Sequence, residues 1–227
     1  MINMKRLVIF LLVALIPMMA VPQDPISCSE KQNPTSVKKQ SVTVSEPDGF
    51  VNDYGYVDLG LSVKWATCNV GANSPSDCGD YYAWGETSTK SDYSTSTSKT
   101  YGNSMGNIGG NSSYDVARYR WGGSWRLPTA AELEELKTKC TWTWTTQGGH
   151  NGYKVTSKTN GKSIFLPAAG YRIGTSPYCV GEEGDYWSSS PDESDTYYAC
   201  CLTFGFSDPY VYRLYRDSGL PVRPVVE

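Results

Sequence analysis

The sequence predicts an α+β domain, loop-rich, with short antiparallel strands and few helices. Three observations carry this. Glycine (22) and tyrosine (17) are abundant among the 227 residues while only 19% are charged, a balance that suits turns and strands. Apolar residues recur mostly at period two through residues 55–66, Gly-Tyr-Val-Asp-Leu-Gly-Leu-Ser-Val-Lys-Trp-Ala, as in half-buried strands. One helix is signalled clearly. Thr129 stands at an N-cap with Glu132 three residues on, a capping box, and Leu133, Leu136 and Cys140 follow at i, i+3 and i+7 as one buried stripe. At 39% hydrophobic the chain can build a substantial core, and a unit of this size buries roughly 70% of its unfolded surface.

From the N-terminus onward, residues 1–20 read as an export signal. Lys5-Arg6 is a short positive region, residues 7–16 are an unbroken apolar run, and Pro17-Met18-Met19-Ala20 can end it. The run is shorter than the ~20 apolar residues a membrane span needs. Residues 21–54 carry Pro22, Pro25, Pro34 and Pro47 among Ser, Thr, Lys and Gln, which predicts a polar spacer. Structure is expected over 55–227. Within it, 87–113 is a long Ser, Thr, Gly, Asn-rich surface loop, and 162–167 is a short core strand that stops at Pro167. The expected location is therefore secreted or cell-surface.

Seven cysteines are present: Cys28, Cys68, Cys78, Cys140, Cys179, Cys200 and Cys201. An odd number in an exported chain leaves one free, intermolecular or modified. Cys28 lies in Pro-Ile-Ser-Cys-Ser, similar to a weak lipobox, so it is either a lipid anchor or an unpaired tail cysteine. The expected disulfide is Cys68 with Cys140, a bridge that would contribute roughly 4 kcal/mol by restricting the unfolded chain. No C-x-x-C pair exists, so no zinc site is expected. The net charge of −3, with no basic cluster beyond the first residues, argues against nucleic-acid binding.

Catalytic chemistry has little to draw on. The only histidine is His150, in a glycine-rich turn with no evident partner, and no carboxylate pair is marked as an acid/base couple. Glu182, Glu183 and Asp185 could offer oxygens to a metal, but read better as an acidic solvated loop. No catalytic residue, metal or cofactor is expected. The C-terminal stretch, by contrast, is dense in Tyr, Ser, Asp and Thr between residues 194 and 218. Tyrosine offers large, stiff, amphipathic contact area, with Ser, Asp and Gly adapting around it, so the stretch reads either as a binding surface or as an edge hairpin whose rings cover the core.

Several segments in order resemble one family. Tyr56-Val57-Asp58-Leu59-Gly60-Leu61, Trp65-Ala66-Thr67-Cys68-Asn69-Val70-Gly71-Ala72 and Tyr81-Tyr82-Ala83-Trp84-Gly85-Glu86 are similar to motifs of the Fibrobacter succinogenes major paralogous domain. So are Trp121-Gly122-Gly123-Ser124-Trp125-Arg126-Leu127-Pro128-Thr129, Ile164-Phe165-Leu166-Pro167-Ala168-Ala169-Gly170-Tyr171-Arg172, Tyr186-Trp187-Ser188-Ser189 and Val222-Arg223-Pro224-Val225. The resemblance implies a C-type-lectin-like fold, related to that of the formylglycine-generating enzyme, with the two ends of the domain close together. That fold hosts unrelated functions. The Glu-Pro-Asn or Gln-Pro-Asp loop of calcium lectins is missing; the nearest tripeptide, Glu46-Pro47-Asp48, lies in the expected spacer. Formylglycine-type chemistry needs a reactive cysteine pair, and Cys200 and Cys201 are adjacent, so on a strand they would face opposite sides.

The family resemblance also includes variable proteins of diversity-generating retroelements, in which randomised asparagine-type codons never yield Lys, Glu, Gln, Trp or Met. Residues 194–218 contain none of these five. Under that reading Ala199, Leu202, Phe204, Pro209, Val211, Arg216 and Gly219 are scaffold. Tyr197, Tyr198, Cys201, Thr203, Ser207, Asp208, Tyr210, Tyr212, Arg213, Tyr215 and Asp217 are displayed for ligand binding, with Tyr210, Tyr212, Arg213 and Tyr215 the strongest contacts. The expected function is an exported binding module, adhesin- or receptor-like, for an external protein or glycan. The alternatives are an envelope or fimbrial-assembly paralogue, with fimbrial or envelope subunits as partners, and a formylglycine-generating-type enzyme.

Overall fold

A computed structural model describes residues 44–205 and 208–227, so the export signal, Cys28 and Ser207 lie outside the described residues. Strands β1 (Gly49–Val51), β2 (Tyr54–Val57) and β3 (Lys64–Ala66) are followed by helices α1 (Val116–Trp121) and α2 (Ala130–Lys139). Then come β4 (Cys140–Gln147), β5 (His150–Ser157), β6 (Ser163–Pro167), β7 (Tyr171–Ile173), β8 (Ser176–Tyr178), β9 (Gly184–Pro191), β10 (Tyr198–Phe204), β11 (Tyr210–Tyr215) and β12 (Val225–Val226). They form four small sheets, ordered β1-β2-β3-β12, β11-β10-β9, β4-β5-β6 and β7-β8, with every strand pair antiparallel. This is the loop-rich mixed α+β class that the composition predicts.

The ordered domain starts earlier than the sequence suggests. β1 lies inside the expected 21–54 spacer, paired with β2 through the two-residue turn Asn52-Asp53. Both turn residues have positive φ (47° and 67°), the primed hairpin geometry that Asn and Asp tolerate. Ser45 donates its backbone N–H to the Ser163 carbonyl (3.1 Å), and Asp48 pairs with Lys162, so this segment is stitched to β6. β12 pairs with β3, so the last described strand closes the same sheet as the first hairpin, with β3 between them.

Helix α2 forms as its sequence dictates. Thr129 Oγ1 accepts from the Glu132 amide (3.2 Å), and the Glu132 carboxylate accepts from the Thr129 amide (2.7 Å). Glu132 also takes a two-pronged ion pair from Arg126, at 2.7 and 2.9 Å. Leu133 and Leu136 are buried, but Cys140 is the first residue of β4 rather than a last helical position; it reaches the same core. The long 87–113 loop is held by three buried anchors, Tyr93, Thr100 and Ile108.

Two apolar clusters fill the interior. One gathers Trp84, Trp125, Trp187, Ala199 and Cys201; the other Trp65, Leu133, Leu136, Phe165-flanking Ile164 and Leu166, Tyr186, Leu202 and Phe204. β9 and β10 run between them and contribute to both, alternate residues entering alternate clusters. Arg223, fully buried, clamps this junction. It donates to Asn69 Oδ1 (2.8 Å) and to the carbonyls of Ala66, Thr67 and Phe165 (2.9–3.1 Å), so a charge deep in the fold is offset by four acceptors.

The expected Cys68–Cys140 disulfide is not present: both are free thiols, with Cys68 half-buried and Cys140 buried. Cys140 is committed to the apolar cluster beside α2, whereas Cys68 lines a cleft of about 280 Å³ with Val44, Ser45 and Pro47. Cys179 is the disulfide-bonded cysteine among the described residues.

Candidate functional site

The sheet β11-β10-β9 carries most of the residues expected to be displayed, and its register sorts them. Opposed residues of antiparallel strands share a face. Tyr198, Cys200 and Leu202 of β10 oppose Tyr215, Arg213 and Val211 of β11 on one face, while Ala199, Cys201 and Thr203 oppose Leu214, Tyr212 and Tyr210 on the other. The expected display set is therefore split between two faces and two ends of one hairpin. Beneath it, Ala199, Leu202 and Phe204 are fully buried and fix the strands to both core clusters.

At the end where β10 begins, aromatic rings and one arginine interlock. Tyr198 and Tyr215 lie 4.3 Å apart between centroids, and the Arg213 guanidinium sits 5.0 Å above the Tyr198 ring. Tyr197, 47% exposed, contacts Tyr101 from the long loop at 4.8 Å, and Tyr101 also reaches Tyr215. Arg213 Nη1 donates to Asp192 Oδ2 (3.1 Å) and Ser194 Oγ (3.3 Å). Asp192 Oδ1 accepts from the Ser194 hydroxyl (2.6 Å) and the Ser194 and Asp195 amides (both 2.9 Å). Those bonds, the Ser194 hydroxyl first and Arg213 after it, hold its carboxyl down to about 2.

Arg216 anchors this end from below. Fully buried and stacked 4.4 Å over Trp84, it donates to the carbonyls of Tyr198 (2.9 Å), Asn103 (2.8 Å) and Thr100 (3.4 Å). It also borders a cavity of about 420 Å³ between the 104–107 loop segment and residues 190–193, lined by Asn107, Ser190, Asp192 and Thr196. Tyr101 and this loop segment were not legible as site residues in the sequence, where they sit in an unpatterned polar run.

The other end is different. Tyr210 and Tyr212 point outward, 43% and 55% exposed, with their rings edge-on at 5.9 Å. Behind them run two cross-strand rows: Tyr210, Thr203 and Asp185; and Tyr212, Cys201 and Trp187. Asp185 is buried, which corrects its reading as part of a solvated acidic loop; Glu182 and Glu183, which precede β9, are half-buried. Its Oδ1 accepts from Thr203 Oγ1 (2.8 Å), its Oδ2 has no partner, and burial pushes its carboxyl up to about 7.

Of the remaining expected contacts, Asp208 is exposed, and Thr203 and Asp217 are half-buried. Cys201 is fully buried and so is not displayed: its position opposite Trp187 turns the thiol into the core. Cys200, on the opposite face, is half-buried with Sγ 3.6 Å from the Pro191 carbonyl. Burial raises both thiols, Cys201 strongly. His150 is an exposed hairpin residue opposite Gln147. Among the described residues no three His, Cys, Asp or Glu side chains converge as metal ligands. Comparison of the chain with protein-family models, with curated proteins and with solved structures finds no match.

Proposed function

We propose that this chain is an exported binding module, with a C-type-lectin-like arrangement of its small sheets, that engages an external protein or glycan through the β10–β11 hairpin. The observation that carries the reading is the placement of Tyr197, Tyr210, Tyr212 and Arg213: all are exposed on a hairpin whose intervening residues Ala199, Leu202 and Phe204 are locked in the core. Exposed tyrosines and an arginine on a rigid support are the side chains that dominate interface energetics. Such a surface can change its outer residues without disturbing the fold, which is what a diversified receptor face needs. The absence of Lys, Glu, Gln, Trp and Met from residues 194–218 supports the same reading.

The test is a triple variant, Tyr197→Ser, Tyr212→Ser, Arg213→Ala, set against the wild-type domain in selections from a glycan array and a displayed random-peptide library. Ligands that bind the wild type and lose at least tenfold in affinity to the variant, with melting unchanged, support the hairpin as the binding surface. Equal binding overturns it, and a melting loss of several degrees would instead mark these rings as structural. Deep sequencing of the gene's 3′ end across a population gives an independent reading. Variation should fall on the codons of exposed positions and spare Ala199, Cys201 and Leu202.

A further inference from the structure

Resting on that proposed face, we infer that the Tyr210–Tyr212 end contains a cation subsite, in which Asp185 at the floor and the surrounding tyrosines receive a lysine side chain of a protein partner. The first support is an acid without a counter-ion. Asp185 is 2% exposed, yet among the described residues no lysine or arginine pairs with it, and the only side-chain hydrogen bond to its carboxylate is from Thr203. Its Oδ2 is buried and unpartnered. Neither protonation state cures this: an ionised oxygen lacks a donor, and a protonated one lacks an acceptor.

The second support is what surrounds it. Thr203 lies between Asp185 and Tyr210 in one cross-strand row, so the exposed Tyr210 and the buried carboxyl stand at the two ends of one row on the same face of the sheet. Tyr171, stacked 5.7 Å from Tyr178 on the β7–β8 hairpin, is also near enough for the charges of Asp185 and Glu183 to raise its hydroxyl after burial, as they do that of Tyr210. Among the described residues, the titratable groups whose charges couple to Asp185 are Glu183, Tyr171, Tyr210 and the Cys201 thiol, none of them cationic near neutral pH. Aromatic rings around an acidic floor attract an organic cation both by Coulomb's law and by their quadrupoles.

The geometry also selects the cation. A metal would need several converging donors, and no such group exists among the described residues. Arginine favours a fork onto two carboxylate oxygens, whereas Thr203 already holds Oδ1. One unpartnered oxygen below the surface suits a single ammonium on a long apolar stem. This narrows the ligand from protein or glycan to a protein bearing an accessible lysine.

The experiment titrates the intact chain with N-acetyl-lysine-N-methylamide and, as the uncharged isostere, N-acetyl-norleucine-N-methylamide. The Asp185 carboxyl carbon is followed by NMR, with Asp185→Asn as the control chain. The lysine probe should bind at least tenfold more tightly than the norleucine probe at pH 8. It should weaken at least tenfold by pH 5.5, lower the Asp185 titration midpoint by at least one unit, and lose at least tenfold in affinity to Asp185→Asn. No binding, equal binding of the two probes, or equal binding by Asp185→Asn overturns the subsite. Because the triple variant leaves Asp185 intact and this control leaves Tyr197, Tyr212 and Arg213 intact, failure here is separable from failure of the face itself.

Discussion

The two ends of the β10–β11 hairpin solve their polar accounting in opposite ways. Where β10 begins, the three interlocked charges are answered: Arg213 by Asp192, Asp192 by two amides and a hydroxyl, and Arg216 by three carbonyls. Where β10 ends, Asp185 is buried with one oxygen unanswered, at the end of the sheet that carries two exposed tyrosines. A satisfied network fixes a surface in one shape, whereas an unsatisfied buried group raises the energy of the empty fold and leaves room for a ligand to lower it. The first end is built to hold its shape, and the second is built to be completed.

The largest effect that can break this contrast is the pH dependence of folding stability carried by Asp185. Its carboxyl rises from 3.8 to about 7 because burial disfavours the charged form. The folded chain then binds the proton more tightly than the unfolded chain. Stability is fully present below about pH 4, falls as pH rises toward 7, and is flat beyond. The loss is on the order of 4 kcal/mol. Urea unfolding at pH 4.5, 6 and 8 should show the decline in the wild type, and the difference between wild type and Asp185→Asn isolates it from Glu183, which burial also raises. A constant difference across that range would mean that Asp185 finds a partner in solution and that the two ends are alike.

Arg216→Met tests the satisfied end. It keeps the apolar stem against Trp84 but strips the donors from the Tyr198, Thr100 and Asn103 carbonyls. The expected cost is about 2–3 kcal/mol. Amide exchange should quicken in the loop around Tyr101 more than in β6, because Arg216 is what ties that loop to β10. Uniform loosening would assign it to the core at large.

How much of this was legible in the sequence follows from the range of each interaction. The α2 capping box was, because Thr129 and Glu132 satisfy one another within one turn. The strand ending at Pro167 was, because proline cannot donate to a ladder. The β1–β2 hairpin was missed although Asn52-Asp53 could have signalled its turn; the surrounding prolines and polar residues masked it. The cysteine pairing was illegible because only tertiary packing decides which sulfurs meet. Asp185 was illegible for the same reason: it follows two glutamates and a glycine, and nothing local reveals that β9 is buried on both faces. Alternation along β10 separates its residues into two sets, but only the register with β11 shows which tyrosines share a face with Asp185.

A smaller effect comes from Asp192→Asn. The acid is held down to about 2, first by the Ser194 hydroxyl and then by Arg213, so its contribution is present above about pH 4 and is lost as pH falls toward 2. The arginine is solvent-facing, with 45% of its side chain exposed against 14% for Asp192, so the stability change at neutral pH should stay below about 1 kcal/mol and shrink in high salt. What should change is order: freed from Asp192 and Ser194, Arg213 should lose its fixed position over Tyr198, readable as faster side-chain motion by NMR.

The smallest effect on stability should come from Tyr212→Ala, and it is the sharpest test of the contrast. Tyr212 is 55% exposed and opposes Cys201, whose burial rests on Trp187 and the core rather than on the tyrosine ring. Stability should move by no more than about 0.5 kcal/mol, since nothing beneath the ring depends on it. The same truncation at Tyr198, whose ring packs against both Tyr215 and the Arg213 guanidinium, should cost more than 1 kcal/mol. Thermal unfolding of the two variants side by side checks the ranking. If Tyr212→Ala proves the more destabilising, the ring is a cover for the hydrophobic core, and the unanswered carboxylate beside it is sealed rather than waiting.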